Sequence, residues 1–434
     1  MTTTHQLGRR GFLAAMAAGA AALTLSGCGA ASGTGRRNGL GVWTLQDAVQ
    51  NEIQQGAIDA FVASSGESAS LNVFPNTGFT QKLRVAMGSG DGPDVFFNWG
   101  GASLRPYFEA GMAVDLTDEL ERDQAWRDAF LPSVLDAGRI DGRYCGIPLR
   151  GMQPVILFYN RQVFDAAGVE PPATYDDMLD LIEVFKSRDT IPIALAGTQS
   201  WCELMWIEYL ADRLGGAQPA QRAFNAERGA WEDPAMVGAL ERIRELVDLG
   251  AFGSNFTAVT YEAGGASTLF AQGRAAMHLM GSWEYTNQLD QQPEFARDGL
   301  AWAPFPTIAG GTGDPRSVVG NPTNYFSVNA SSGDAAAGVE FLRTQMASDA
   351  YVDALIAGGD VPAVAGLEQR LDNHPSPEFA KYVYSLVQEA PDFTLSWDQA
   401  LPPAVKEIML SSLQRVFLGE LSPEQFVETM EVAQ

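Results

Sequence analysis

The chain has 434 residues, 46% of them hydrophobic, and only 19% charged, yet it carries a formal net charge of −25. That length favours two packed cores over one, and so acidic a chain repels nucleic acid and anionic lipid, which sets aside an electrostatically driven binder of either. Three cysteines and three histidines show no zinc-type spacing, so the sequence asks for no metal and no other cofactor.

The first residues read GRRGFLAAMAAGAAALTLSGCGA. Arg9 and Arg10 precede an apolar stretch from Phe12 to Leu25 that is too short and alanine-rich for a membrane span and fits an export signal over residues 1–27. The adjacent arginines resemble a twin-arginine leader. The segment Leu25-Ser26-Gly27-Cys28 resembles a bacterial lipobox, which implies that Cys28 carries two acyl chains, enough for stable anchoring. Residues 28–38, small and polar after Cys28, read as a lipidated tether. Cys145 and Cys202 remain; they could pair in an oxidising compartment, but two buried thiols are the simpler expectation.

From Gly39 onward short apolar runs alternate with amphipathic stretches. GLGVWTL (39–45), SLNVFP (70–75) and PDVFFNW (93–99) read as strands, with a helix over 46–63 and another over 107–120. GIPL (146–149) is extended. PVILFYN (154–160) opens a second series, followed by a helix closed by Gly168 and by a helix that Thr174 caps with Asp177 at its third position. IPIALAG (191–197) and AAMHLM (275–280) are further strands, and residues 334–347, 376–389 and SPEQFVETMEV (422–432) are helical. Strand and helix alternating at this spacing predict the α/β class, with parallel sheets flanked by helices in two lobes.

Four segments together resemble the family 1 extracellular solute-binding proteins of ABC importers. They are YCGIPLRGMQPVILFYNRQVFDAAGVEPPATYDDMLDLIEVFK (144–186), FAQGRAAMHLMGSWEYTNQ (270–288), the stretch from GLAWAPFPTIAGG through VVGNPTNYFSVNASSGDAAAGVEF, and the ending LPPAVKEIMLSSLQRVFLGELSPEQFVETM. The resemblance spans nearly the whole chain from Gly39. It implies a two-lobed periplasmic-binding-protein-like fold with hinge crossovers near Gly151 to Gln153, Trp302 and Ala347. Lobe 1 would then hold residues 39–151 and 303–347, and lobe 2 residues 152–302 and 348–434. It also implies a hinge that closes on a ligand. DVFFNWGGASLRPYFEAG and VVGNPTNYFSV look like the actinobacterial binding proteins for short oligosaccharides, including xylobiose-type ligands. The chain departs from the family's maltose-binding member in many details, so ligand identity does not transfer.

A sugar presents apolar CH faces and a rim of hydroxyls, so its site needs aromatic platforms with amide, carboxylate and guanidinium groups. In doubly wound sheets such sites lie beyond the carboxyl ends of strands. By that rule the candidates are Trp43, Asn76, Asn98 and Trp99 after the first three strands, and Arg150 and Gln153 at the crossover. Trp201 and Glu203 follow the strand 191–197, Trp283 and Glu284 follow 275–280, Asn321 and Asn324 lie in the Gly-rich return, and Trp397 and Asp398 lie between C-terminal helices. By resemblance Trp283 falls on the family's ligand-stacking tryptophan. Each has a plainer reading: the tryptophans as core, Arg150 as an ion pair, Glu203 as a helix N-terminal charge, Asp398 as a cap, and Asn98 and Asn324 as turn residues.

The leading expectation is a monomeric binding protein without chemistry, anchored outside the membrane and serving an importer. The rival is an extracellular glycoside hydrolase using paired carboxylates. No carboxylate pair stands out at strand ends and no Gly-X-Ser-X-Gly elbow is present.

Overall fold

A computed structural model describes residues 39–261 and 264–433. The expected leader, Cys28 and the expected tether lie outside the described residues. Among the described residues no helix is long and apolar enough to cross a membrane.

Strand β1 (Leu40–Leu45) is apolar along nearly its whole length and is buried on both faces, as a central strand must be. Asp47 caps helix α1 (Ala48–Ser65) by accepting the Gln50 amide at 3.1 Å, and Gly66 ends it with a left-handed φ of 74°. Next come β2 (Ala69–Phe74), α2 (Phe79–Ser89) and β3 (Val95–Asn98). Helix α3 (Gly101–Glu109) starts well before the expected residue 107, because Gly100 and Gly101, at φ 76° and 49°, turn the chain directly from β3 into a helix. Strand β4 (Ile147–Pro148) ends this run.

Strand β5 (Gln153–Asn160) opens the second series. It leads to α4 (Arg161–Ala167) and α5 (Tyr175–Lys186), which begins with the expected capping box: the Asp177 amide donates to Thr174 Oγ1 at 3.1 Å and the Thr174 amide to the Asp177 carboxylate at 2.9 Å. Then follow β6 (Ile191–Ala194), α6 (Ser200–Gly215), β7 (Ala275–Gly281), α7 (Trp283–Gln291), β8 (Leu300–Ala303), β9 (Val318–Asn321), β10 (Tyr325–Val328), α8 (Ala335–Gln345), α9 (Asp349–Ala357), α10 (Pro377–Glu389), β11 (Phe393–Leu395) and the short α11 (Trp397–Ala400).

Two sheets organise these elements. The first has the order β2-β1-β3-β10-β4, and the second β11-β9-β5-β7-β6 with β8 also on β5. Both are mixed rather than parallel. β1 is parallel to β2 and β3, but β10 runs against β3, and β5 runs against β7, β8 and β9. Alternating patterning shows that helices separate the strands, but not the direction in which each strand re-enters its sheet.

The chain passes from the first sheet to the second between Pro148 and Gln153 and returns between Asn321 and Tyr325. The return is therefore not near Trp302, which sits in β8 opposite Phe158 of β5. VVGNPTNYFSV holds two strands of different sheets, separated by only three residues, and its apolar pattern does not mark the break. Nor does the chain leave the first lobe at Ala347: α8 and α9 both pack on α1, with Phe341 edge-on to Phe61 at 5.5 Å. Helix α10 belongs with the second sheet, where Phe379 packs on Phe158 of β5 and stacks on Tyr285 of α7 at 4.6 Å. No disulfide joins the buried Cys145 and Cys202.

These two passages and a third, the segment around Val361 that leads from α9 to α10, lie side by side. The Leu149 amide donates to the Asn324 carbonyl at 2.9 Å, the Met152 amide to the Val361 carbonyl at 2.9 Å, and Thr323 Oγ1 to the Gly151 carbonyl at 3.1 Å.

Candidate functional site

A cleft of about 1100 Å³ opens between the two sheets, lined by residues that follow the carboxyl ends of β1, β2, β3, β7 and β9. This is where a doubly wound fold presents a ligand site. Of the residues expected from the sequence, Asn76, Trp99, Arg150, Gln153, Trp201, Trp283, Asn321, Asn324 and Asp398 line it.

On the first lobe, Trp99 is held by its own loop. Asn98 Oδ1 accepts the Gly100 amide at 2.9 Å, Ser103 Oγ accepts the Trp99 amide at 3.2 Å, and the same hydroxyl donates to the Gly100 carbonyl at 2.6 Å. Phe97 meets the indole edge-on at 4.9 Å. On the second lobe, Trp201 in the first turn of α6 and Trp283 at the start of α7 approach with ring centroids 6.3 Å apart and planes inclined by 48°. Tyr261 packs edge-on against Trp201 at 4.9 Å, and its hydroxyl accepts from Asn287 Nδ2. All four rings are half-buried. Aromatic walls on both lobes with polar groups between them suit a ligand with flat apolar faces and a hydroxylated rim.

The polar lining near the crossovers is mostly neutral amide. Asn324 and Gln399 are buried, and Asn324 Nδ2, Gln399 Oε1 and Asn321 Oδ1 have no hydrogen-bond partner in the protein. A buried donor or acceptor left unpaired costs about 1–3 kcal/mol, which a ligand supplying the missing hydrogen bonds would recover. Arg150 is different. Its guanidinium sits 3.3 Å from the Asp47 carboxylate and 3.4 Å from that of Asp360, so its charge is balanced within the protein. Asp398 accepts from Gln399 Nε2 at 2.9 Å, and burial raises its pKa.

Five expected residues lie outside the cleft. Trp43 points the other way from Thr44, which lines the cleft, because side chains alternate along β1; the indole packs on Phe74 at 4.5 Å. Asn98 is buried, donating to Ser327 Oγ at 2.9 Å, and acts on Trp99 through the backbone of Gly100. Glu203, in the first turn of α6, is buried in the protein, and burial pushes its carboxyl up to about 8. Glu284 is fully buried, accepting from Ser267 Oγ at 2.9 Å and Gln288 Nε2 at 2.7 Å. Trp397 is core, edge-on to Trp231 at 5.9 Å.

Asp47, Tyr261, Asn287, Gln399 and Lys406 also line the cleft, though the sequence reading did not single them out. Asp47 follows the end of β1, and Asn287 lies one helical turn after Trp283, so the strand-end rule and helical spacing could have found both. Tyr261 sits in a loop without a periodic signal. Among the described residues no group of three or more His, Cys, Asp or Glu side chains could hold a metal ion.

The model of bacterial extracellular solute-binding proteins matches residues 43–351. The chain belongs to that family. It is 28% identical over 240 residues to a probable sugar-binding periplasmic protein of Mesorhizobium japonicum, covering 51% of this chain and 56% of that one. It is 24% identical over 348 residues to the diacetylchitobiose binding protein DasA of Streptomyces coelicolor, covering 79% and 77%. A solved structure described under xylan utilization by Caldanaerobius polysaccharolyticus superposes with a TM-score of 0.81 at 25% identity, covering 91% of this solute-binding protein and 99% of that chain. The chain spans about half the length of two of the curated relatives it matches, 44% and 56%.

Proposed function

We propose that this solute-binding protein captures a small sugar, a di- or oligosaccharide, outside the membrane and delivers it to an ABC importer without chemical change. The observation that carries this reading is the set of half-buried rings, Trp201, Trp283 and Tyr261 on one lobe and Trp99 on the other, around buried amide groups with unpaired atoms. The names of the relatives point the same way: one is a diacetylchitobiose binding protein and one structure comes from xylan utilization. Short β-linked oligosaccharides of neutral sugars are therefore the ligands to try first. Of the three cleft carboxylates, Asp47 and Asp398 are engaged by Arg150 and Gln399, which leaves Asp290 without a second free acid to work with and supports binding over hydrolysis.

Lobe 1 comprises residues 39–149 and 325–357 and lobe 2 residues 153–321 and 377–433, with the three passages as the hinge. The protein acts as a monomer, held on the outer face of the cell membrane by a diacylated Cys28 after removal of residues 1–27.

A thermal-shift screen over mono- and disaccharides tests the proposal. A ligand that binds only the folded protein stabilises it by RT ln(1 + [L]/Kd), about 2.7 kcal/mol at a hundredfold excess over Kd. At least one neutral di- or oligosaccharide should raise the melting temperature; a flat response across the panel would count against the reading.

A further inference from the structure

We propose that the segment from Leu395 to Gln399 is the contact on which the two lobes close, so that affinity is set partly by protein meeting protein and not by ligand contacts alone. The segment is fixed to the second lobe at three points. The Ser396 amide donates to the Gly320 carbonyl at 2.9 Å. The Ser396 hydroxyl and the Trp397 amide both donate to Glu208 Oε1, at 2.8 and 2.7 Å. The Trp397 indole is buried against Trp231. Its other side faces the first lobe, where α11 packs against α3. The meeting point is Gly101, the first residue of α3: a Cβ there would lie 2.7 Å from the Gln399 carbonyl oxygen and 2.9 Å from Leu395 Cδ2, closer than real Cβ atoms approach. Ser396, Asp398 and Gln399 line the cleft as well. A rigid piece of one lobe thus meets bare backbone of the other at the mouth of the site. In a protein whose lobes open and close, such a contact biases the equilibrium toward the closed state, and the population of that state scales the apparent affinity.

The effect on affinity rests on the sugar-binding reading; the contact does not. Gly101→Asn is the variant of choice, because asparagine tolerates the left-handed φ of 49° while its Cβ strikes the Gln399 carbonyl. Gly111→Asn is the control, with φ 67° and no atom within 4 Å of a Cβ. Leu395→Ala removes a side chain of the same contact without backbone strain. The lobe separation is read by electron–electron resonance between nitroxides on Glu121→Cys of the first lobe and Glu241→Cys of the second, in a full-length Cys28→Ala background without sugar. Gly101→Asn and Leu395→Ala lengthen the separation, Gly111→Asn leaves it unchanged, and the first two weaken binding of diacetylchitobiose or xylobiose on the order of tenfold. A folded Gly101→Asn protein with the separation of the control overturns the proposal. Because the distance is read without sugar, failure of the unmodified protein to bind any sugar overturns the proposed function while the contact stands or falls on the distance alone.

Discussion

The indole of Trp283 lies directly on Gly281, so that a Cβ built at position 281 would overlap the ring. Gly281 ends β7, Trp283 opens α7, and the absent side chain leaves the space that the ring fills on its way to the cleft. That is a physical reason for the Gly-Ser-Trp order. Gly281→Ala should therefore displace Trp283 and weaken sugar binding nearly as much as Trp283→Ala, which should cost about 2 kcal/mol or more as truncation of a binding hot spot. Trp283 is half-buried, so Trp283→Ala should lower stability by less than the roughly 3–5 kcal/mol expected for a fully buried tryptophan. Titration calorimetry and thermal melting of the same two variants check this; normal affinity with a collapsed melting temperature would return Trp283 to the core.

Asp360 ties together the passages between the two lobes. It accepts from Gln50 Nε2 of α1 at 2.7 Å, from the Gly151 amide at 3.2 Å and from Thr286 Oγ1 of α7 at 3.4 Å, while pairing with Arg150. Asp360→Ala leaves Arg150 and the Gln50 amide short of a buried partner and should destabilise the protein by about 3 kcal/mol or more. Asp360→Asn should cost less, since its side-chain oxygen can still accept. Urea unfolding measures both; a loss below about 1 kcal/mol for the alanine variant would contradict the role.

Much of this was legible in the sequence, and what was not has identifiable causes. Buried strands such as β1 and β5 announce themselves as apolar runs, and Thr174 with Asp177 marked the start of α5 to the residue. The strand-end rule brought Trp99, Trp201, Trp283 and Asn324 to the cleft. It failed at Trp43 by one residue, because alternation along β1 sends adjacent side chains to opposite faces. It failed at Glu203 and Glu284 because a residue that follows a strand in sequence can still turn inward on the next helix, and Trp397, expected in a loop between C-terminal helices, opens α11 and is buried instead. The second crossover was misplaced because β9 and β10 read as one apolar segment.

Stability should rise on acidification. Burial pushes Glu203 and Glu208 up to about 8 and Asp212 up to about 6. Between their ordinary values near 4 and those raised values, the folded protein holds protons that the unfolded chain has lost. By linkage, stability is then greatest at the acid end of that window and declines as pH climbs to about 8. The melting temperature should be higher at pH 6 than at pH 8, and Glu203→Gln with Glu208→Gln should flatten the difference. An unchanged slope in the double variant would contradict the assignment.

On the proposed reading, in which two acyl chains on Cys28 anchor the protein, Cys28→Ala should release it from the membrane fraction into the medium. Fractionation followed by a high-salt wash decides it. A variant that stays with the membrane after the wash would show that Cys28 is not what holds it.

Calorimetric titration of the purified protein with diacetylchitobiose and with xylobiose, followed by chromatography of the recovered sugar, tests sugar capture most directly. The expected result is saturable heat with one sugar per protein for at least one of them and the same intact sugar recovered afterwards. Monosaccharide products would contradict capture without chemistry, and no saturable heat with either sugar or with longer neutral oligosaccharides would contradict sugar binding itself.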